Sequence, residues 1–277
     1  MRPKMGCMPE GDSVLQLSER LQPLVNKTVE RTQFRVPQYA NVSFNGLQLE
    51  RVWPYGKHLF MRFDQTVLHT HLKMEGSWSV HRIGERWRKP GFKARVVLQF
   101  DHGIELVGFE LGFVRVFDFS QYHDRIAHLG PDVLAEHWDA VEARRRIAEK
   151  PMRPIGTALL DQRNLAGVGN EYRMEICFLC GVHPATPVSQ VDLDHVLEVT
   201  RKLMWANRKS PIRTSTGIRK HGSNAYVFRR FRRPCRRCGA LIAQGSLGGP
   251  DLGGEIDELE RIIWWCPNCQ PKPMFAQ

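Results

Sequence analysis

Cys235-Arg236-Arg237-Cys238 and Cys266-Pro267-Asn268-Cys269 decide how the last part of this 277-residue chain folds. Each C-x2-C unit offers two thiolates from one tight turn, and two such units complete a tetrahedral four-sulfur site for one Zn2+. The 27 residues between Cys238 and Cys266 exceed the usual run of about 15–20. Gly245, Gly248, Gly249, Gly253 and Gly254 supply a looped-out insert. No neighbouring Glu or His stands ready as a further ligand, so the site reads as structural. It would pin a β-hairpin whose strand Arg261–Trp265 is expected to point basic and aromatic side chains outward. A third C-x2-C, Cys177-Phe178-Leu179-Cys180, lies in the apolar run 174–182 and reads as buried packing, because free cysteine behaves there as a small hydrophobe.

The charge next to this cysteine framework is local. Of 40 Lys and Arg, 13 fall between Arg201 and Arg237, and no Asp or Glu occurs from Thr200 to Pro250. Elsewhere 27 basic residues face 29 acidic ones, so the net +11 is a patch. Solvated basic faces usually mix signs; a stripe this unbalanced fits a phosphate backbone. The 42% apolar content allows ordinary cores, and the length suggests two domains with a small appendage. No apolar run reaches the roughly 18 residues of a membrane span, and residues 1–12 hold no signal-peptide core. Seven cysteines without a secretion signal argue for metal or buried thiols. The expectation is a soluble cytoplasmic protein, associated with the nucleoid through DNA, with no membrane partner. Nothing calls for an oligomer, so a monomer is expected.

Upstream, Asp161-Gln162-Arg163-Asn164-Leu165-Ala166-Gly167-Val168-Gly169-Asn170 reads as helix, glycine turn, helix. Gly167 and Gly169 let the backbone approach a ligand and leave N–H groups free at a helix start, which attracts anions such as a DNA phosphate. Helical spacing covers residues 140–148, 156–181 and 194–208. Before a hinge at 120–130 the pattern is different: seven short β-branched and aromatic segments at 28–36, 48–54, 58–63, 67–72, 94–100, 104–107 and 114–119 read as strands. A leading helix carries Val14, Leu17, Leu21 and Leu24 at helical spacing, with Asp12 or Ser13 as its cap. The fold class is therefore α+β and multidomain. Its parts are an extension at 1–8, a β-sandwich at 9–122, a helical domain at 123–228 and a four-cysteine zinc finger at 229–277.

At the other end stands Met8-Pro9-Glu10-Gly11-Asp12. An initiator Met before Pro is normally trimmed, leaving Pro9 as a secondary amine that can attack a sugar C1′ and form a Schiff base. Within a chain the same nitrogen is an inert amide, so residues 1–7 are expected to be absent from the mature protein. The helix dipole disfavours an ammonium at Pro9 and Glu10 pushes the other way. In isolation Pro-Glu-Gly is more often a turn, Lys57 in Tyr55-Gly56-Lys57-His58 a solvated charge, and Met74 in His71-Leu72-Lys73-Met74-Glu75-Gly76 a core residue.

Together, these motifs, with Leu129-Gly130-Pro131-Asp132 and Leu165-Ala166-Gly167-Val168-Gly169-Asn170, resemble the formamidopyrimidine-DNA glycosylase/endonuclease VIII family of DNA repair enzymes over residues 8 to about 270. The resemblance implies an N-terminal β-sandwich, a helix–two-turns–helix domain, a zinc finger, and action on damaged double-stranded DNA with the lesion flipped out. By position, Pro9 would be the nucleophile, Glu10 the acid assisting base departure and sugar-ring opening, Lys57 a proton donor in β-elimination and Arg261 the phosphate-contacting residue of δ-elimination. Gly169 and Asn170 would bind phosphate, Met74 would fill the gap left by the base, and Lys73 would lie close to DNA. Pro-Glu-Gly-Asp and Leu160-Asp161-Gln162-Arg163 are similar to the endonuclease VIII branch, which implies oxidised pyrimidines. The stretch 214–226 is short for the base-capping loop of the 8-oxoguanine branch. Arg229 stands where the family has Gly, and residues 110–113 offer no clear second and third void-filling side chains.

Two readings from other classes compete with a glycosylase/lyase. A catalytically silent DNA-binding zinc protein that recognises damage or structure would need neither Pro9, Glu10, Lys57 nor Arg261. An RNA- or ribosome-associated zinc ribbon would explain the basic stripe and none of the N-terminal chemistry.

Overall fold

Val14, Leu17 and Leu21 are all buried, because a 3.6-residue repeat gathers them on one face of helix α1 (Gly11–Leu21). The computed structural model describes residues 9–247 and 261–273. The expected extension at 1–8 and most of the glycine-rich insert lie outside the described residues. Glu10 is the N-cap of α1; its carbonyl accepts from the Ser13 and Val14 N–H groups (3.0 and 3.2 Å). The helix thus starts earlier than the caps expected from sequence, and Asp12 and Ser13 fall within its first turn. The chain divides into two compact units between His128 and Leu129.

The first unit adds eight strands: β1 (Val29–Phe34), β2 (Leu49–Tyr55), β3 (His58–Phe63), β4 (Thr66–His71), β5 (Ser77–Arg82), β6 (Ala94–Phe100), β7 (Ile104–Phe109) and β8 (Phe113–Asp118). They form two antiparallel sheets, ordered β1-β6-β7-β5 and β2-β3-β4-β8. One core joins Val29, Val96, Leu98 and Leu106 of the first sheet to Val52, Leu59, Met61 and Leu68 of the second, with the α1 side chains among them. Burying each such side chain is worth about 1.5–3 kcal/mol. β5 is an eighth strand beyond the seven read from sequence. Ser-Trp-Ser-Val-His-Arg carries only two apolar residues, one of them, Val80, exposed, and ladder pairing with β7 holds it. The outer face of the second sheet carries Trp53, Phe60, Val67 and Phe117 against Tyr122 and Ile126 of α2 (Tyr122–Ile126). The Trp53 indole donates to Tyr122 Oη (2.9 Å). At five residues α2 is too short for periodicity to reveal it.

The second unit holds α3 (Ala140–Ala148), α4 (Ile155–Leu160), α5 (Asn170–Leu179), α6 (Leu193–Asn207) and the antiparallel pair β9 (Ala243–Leu247) and β10 (Arg261–Trp265). Between α4 and α5 the Gln162 side chain closes the turn. Its amide donates to the Leu160 and Val168 carbonyls (both 2.8 Å) and its oxygen accepts from the Gly167 N–H (3.0 Å). Gly167 has φ +109°, where a side chain would be strained. The expectation that β10 turns its aromatic side chains outward is not met: Ile263, Trp264 and Trp265 are buried. Trp264 meets Phe228 edge-on at 5.1 Å and Trp265 meets His183 at 4.8 Å, because a two-stranded hairpin needs a packed face to persist.

Glu175 of α5 fastens the chain leading into the cysteine framework. Its buried carboxylate accepts from the backbone N–H groups of Tyr226 (2.8 Å), Val227 (2.9 Å) and Phe228 (2.8 Å), and from Ser215 Oγ. Hydrogen bonds to a charged acceptor are worth about 1.5–3 kcal/mol each, and orphaned buried donors add a further cost. Glu175→Ala is expected to destabilise the protein by about 3 kcal/mol or more. Urea unfolding measures this, and a loss under about 1 kcal/mol would refute the assignment.

Candidate functional site

In the first unit Pro9, half-buried, and Glu10, 1% exposed, stand at the head of α1. This helix packs on β2 and β3, the strands joined by the turn that carries Lys57. Tyr55 pairs with His58 across the two-residue turn Gly56-Lys57. Gly56 supplies the positive φ (+55°) such a hairpin requires. Beyond β4 the chain folds back so tightly that the Gly76 N–H donates to the Leu72 carbonyl (2.8 Å). A Cβ on Gly76 would lie 2.3 Å from that oxygen. This closure holds Met74 out at the tip, 64% exposed for a large apolar side chain. Lys73 beside it takes φ +54°, and its N–H donates to His71 Nδ1 (2.8 Å). The adjoining turn, 110–113, presses Gly112 against the Lys73 stem. Leu111 in that turn is buried.

Three histidines underlie these two turns. His58 begins β3 and pairs in register with His71, while His69 lies two residues back on the same face of β4. His58 Nδ1 and His69 Nε2 are 2.9 Å apart, and the His69 ring stacks on Phe60 at 4.2 Å. Burial is the main cause that lowers all three pKa values, to about 4 for His58, about 2 for His69 and about 3 for His71. Neighbouring basic groups add to it, His128, Lys73 and Lys57 for His58, so Lys57 and Lys73 flank one cluster. His69 is not among the residues singled out from sequence, and His58 enters there only as the neighbour of Lys57. Their signal is the spacing His58-x-Phe60 beside His69-x-His71, which puts imidazoles on one sheet face once the hairpin register is known.

In the second unit Gly169 is the N-cap of α5 and Asn170 its first residue. The expected metal cysteines converge. The sulfurs of Cys235, Cys238, Cys266 and Cys269 all lie within 4.8 Å of one another, with 4.0 Å between Cys235 and Cys269 and 3.4 Å between Cys238 and Cys266. A tetrahedron with Zn–S bonds of about 2.3 Å has sulfur–sulfur edges of about 3.8 Å, so the donor set fits a metal of that type. Backbone N–H groups of Arg237 and Cys269 point at Cys235 and Cys266 sulfurs (both 3.4 Å). Gln270, fully buried, bonds the Cys266 N–H (3.0 Å) and the Val182 carbonyl (2.8 Å), tying the cluster to the chain after α5. Cys177 and Cys180 stay apart from it, their thiols pushed up to about 12 by burial.

The basic stripe is divided in two. Arg213 is buried against Glu171 (2.8 Å), Arg230 caps the Tyr226 and Pro234 carbonyls, and Arg201 and Arg208 each sit 3.9 Å over Trp205. Lys202, Lys209, Arg219, Lys220, Arg232 and Arg233 remain exposed and available to phosphates. Arg229 takes φ +56°, the conformation a glycine would adopt freely. Arg261 opens β10, paired with Leu247.

The sequence pattern of the formamidopyrimidine-DNA glycosylase N-terminal domain matches residues 8–111, and that of the formamidopyrimidine-DNA glycosylase H2TH domain matches residues 129–220. Endonuclease 8 2 of Mycobacterium bovis is 40% identical over 268 residues, covering 95% of this chain and 100% of its own. A DNA-(apurinic or apyrimidinic site) lyase Nei2 of Mycolicibacterium smegmatis is 41% identical over 265 residues, covering 95% and 99%. The chain belongs to the formamidopyrimidine-DNA glycosylase/endonuclease VIII family. Among solved structures, Lactococcus lactis Fpg bound to DNA containing N7-benzyl-Fapy-dG aligns with TM-score 0.78 at 20% identity, over 95% of this chain and 100% of its own. MutM bound to DNA containing carbocyclic 8-oxo-G aligns with TM-score 0.80 at 21% identity, over the same shares. Both likenesses establish the fold.

The family's N-terminal motifs thus sit over a face of uncharged imidazoles. A histidine whose folded pKa lies below its unfolded value of about 6.5 holds fewer protons when folded, so acid favours unfolding. That cost is absent above about pH 6.5 and grows as pH falls toward 4, the value of His58. His69→Phe keeps the ring stack on Phe60 and removes one such group. It is expected to flatten the fall in melting temperature between about pH 6.5 and 4; an equally steep fall in the variant would contradict this account.

Proposed function

We propose that this protein is a bifunctional DNA glycosylase and abasic-site lyase that removes oxidised bases, pyrimidines in particular, from double-stranded DNA as a monomer. The observation that carries the reading is the end-to-end identity of about 40% with relatives named endonuclease 8 2 and abasic-site lyase Nei2. The match of the N-terminal domain pattern from residue 8 supports Pro9 as the working amine. Among the described residues no helix is long and apolar enough to cross a membrane.

In this reading the damaged base leaves the stack, Met74 fills the void, and the Pro9 nitrogen, freed by removal of Met8, attacks C1′. The C1′–N bond breaks with its electron pair going to the base, which Glu10 assists by giving a proton. Ring opening leaves an iminium between Pro9 and the sugar. Loss of a C2′ proton then expels the 3′ phosphate, with Lys57 supplying a proton, and a second elimination involving Arg261 expels the 5′ phosphate. Zinc, held by the four cysteines, would give structural support to the hairpin bearing Arg261 and take no part in these steps.

Borohydride reduction on an abasic-site duplex tests this, comparing protein begun at Met8 with protein begun at Met1, each checked by intact mass. A covalent adduct mapping to Pro9 is expected only for the Met8 form. No adduct from correctly trimmed protein would remove the lyase and leave a DNA-binding zinc protein. Glu10→Gln is expected to slow base excision by about a hundredfold or more while sparing the adduct on a pre-formed abasic site, where no base has to depart; equal loss of both in single-turnover assays would overturn its role as the acid. Cys238→Ser, or chelation, is expected to weaken DNA binding and excision together, and normal excision after chelation would contradict the zinc assignment.

A further inference from the structure

The residue that the family resemblance assigns to phosphate binding is already engaged inside the protein. Asn170 is 8% exposed. Its side-chain Nδ2 donates to the Ile262 carbonyl of β10 (3.1 Å) and its Oδ1 accepts from Arg173 Nη2 (2.5 Å). One turn further along α5, Met174 Sδ accepts the Trp264 N–H (3.4 Å). In an antiparallel pair alternate residues turn their N–H and C=O groups toward the partner strand and the rest turn them away. Ile262 and Trp264 lie two apart, and both bond to α5 in place of β9. They define the edge of β10 that, among the described residues, no strand covers. Asn170 and Met174, at i and i+4, share one helix face and act as the missing strand, one taking a carbonyl and the other an amide.

We propose that Asn170 is a positioning residue, whose side-chain amide holds the open edge of β10 and thereby fixes the backbone at Arg261, one residue away. The inference rests on the reading of Arg261 as the residue of the second elimination. Met174 offers only a thioether, a weak acceptor, so Asn170 supplies the firm attachment on this edge. The Glu175 bonds hold the segment before Cys235, and Gln270 holds the segment after Cys269. Asn170 is the corresponding tie at the beginning of β10.

A phosphate ligand acts only when DNA is bound; a positioning residue acts without it. Hydrogen exchange on the zinc-loaded, DNA-free protein therefore separates the two. In Asn170→Ala and Asn170→Asp, the peptide carrying β10 is expected to exchange about fivefold faster, with zinc still at one per chain. At saturating protein the ratio of δ- to β-elimination product on abasic DNA is expected to fall several-fold. Unchanged exchange in the DNA-free variants, alongside weaker DNA binding, would overturn the proposal and leave Asn170 a phosphate ligand. An unchanged product ratio with faster exchange would equally refute the link to Arg261. If the Ala and Asp variants lose zinc, Asn170→Ser decides: wild-type exchange with zinc retained counts against the proposal, and faster exchange supports it. Absence of an adduct from the unsubstituted protein would instead mark failure of the functional reading, to which the exchange measurement is indifferent.

Discussion

Two five-residue strands make too small a sheet to hold a place of their own, and the second unit is organised around that constraint. α5 answers it. Its Glu175 gathers three consecutive backbone N–H groups just ahead of the first cysteine pair. Met174 and Asn170 take the open edge of β10, and Gln270 returns the chain to the carbonyl that follows the helix. The four sulfurs draw the two knuckles together, but where the hairpin sits is decided by a helix outside the cysteine framework. A helix so employed cannot be amphipathic in the usual way: Asn170, Glu171, Arg173 and Glu175 are all buried, each matched to a fixed partner.

The first unit solves a different problem, presenting cationic side chains above a packed sheet face. The rings beneath Lys57 and Lys73 are imidazoles kept uncharged by burial, so the lysines have no fixed charge directly under them. An imidazole also serves as a backbone acceptor, which a phenyl ring could not: His71 Nδ1 holds the Lys73 N–H in a left-handed turn. The same face carries the Trp53–Phe60–Tyr122 cluster that anchors the end of this unit.

Much of this was legible in the sequence where spacing alone determines geometry. The cysteine pairs, the glycine turn before Asn170, and the strands with strong alternation were all readable from the order of residue types. What escaped depended on partners distant in sequence. β5 is a strand because β7 lies beside it, α2 because Trp53 and Phe60 offer it a surface. The burial of Trp264 and Trp265 follows from Phe228 and His183, which no local pattern connects to them. The division of the basic stripe was not legible, because a guanidinium that caps a carbonyl, as Arg230 does, reads in sequence just like an exposed one. The internal acceptor of the Asn170 amide, the Ile262 carbonyl, was equally hidden, because it lies 92 residues along the chain.

The two turns of the β2–β3–β4 meander hold only two residues each, Gly56-Lys57 and Asp64-Gln65. A side-chain period of two means that one residue inserted or deleted within β3 would exchange inner and outer faces for the rest of the meander unless a bulge absorbed it, as one does in β2 between Leu49 and Arg51. Leu59, Met61 and Leu68 would turn to the outside, and His58 and His69 would enter the apolar core. Substitution therefore disturbs this segment less than a change of length within β3 would, and the presentation of Lys57 depends on the residue count of the strands on either side of its turn.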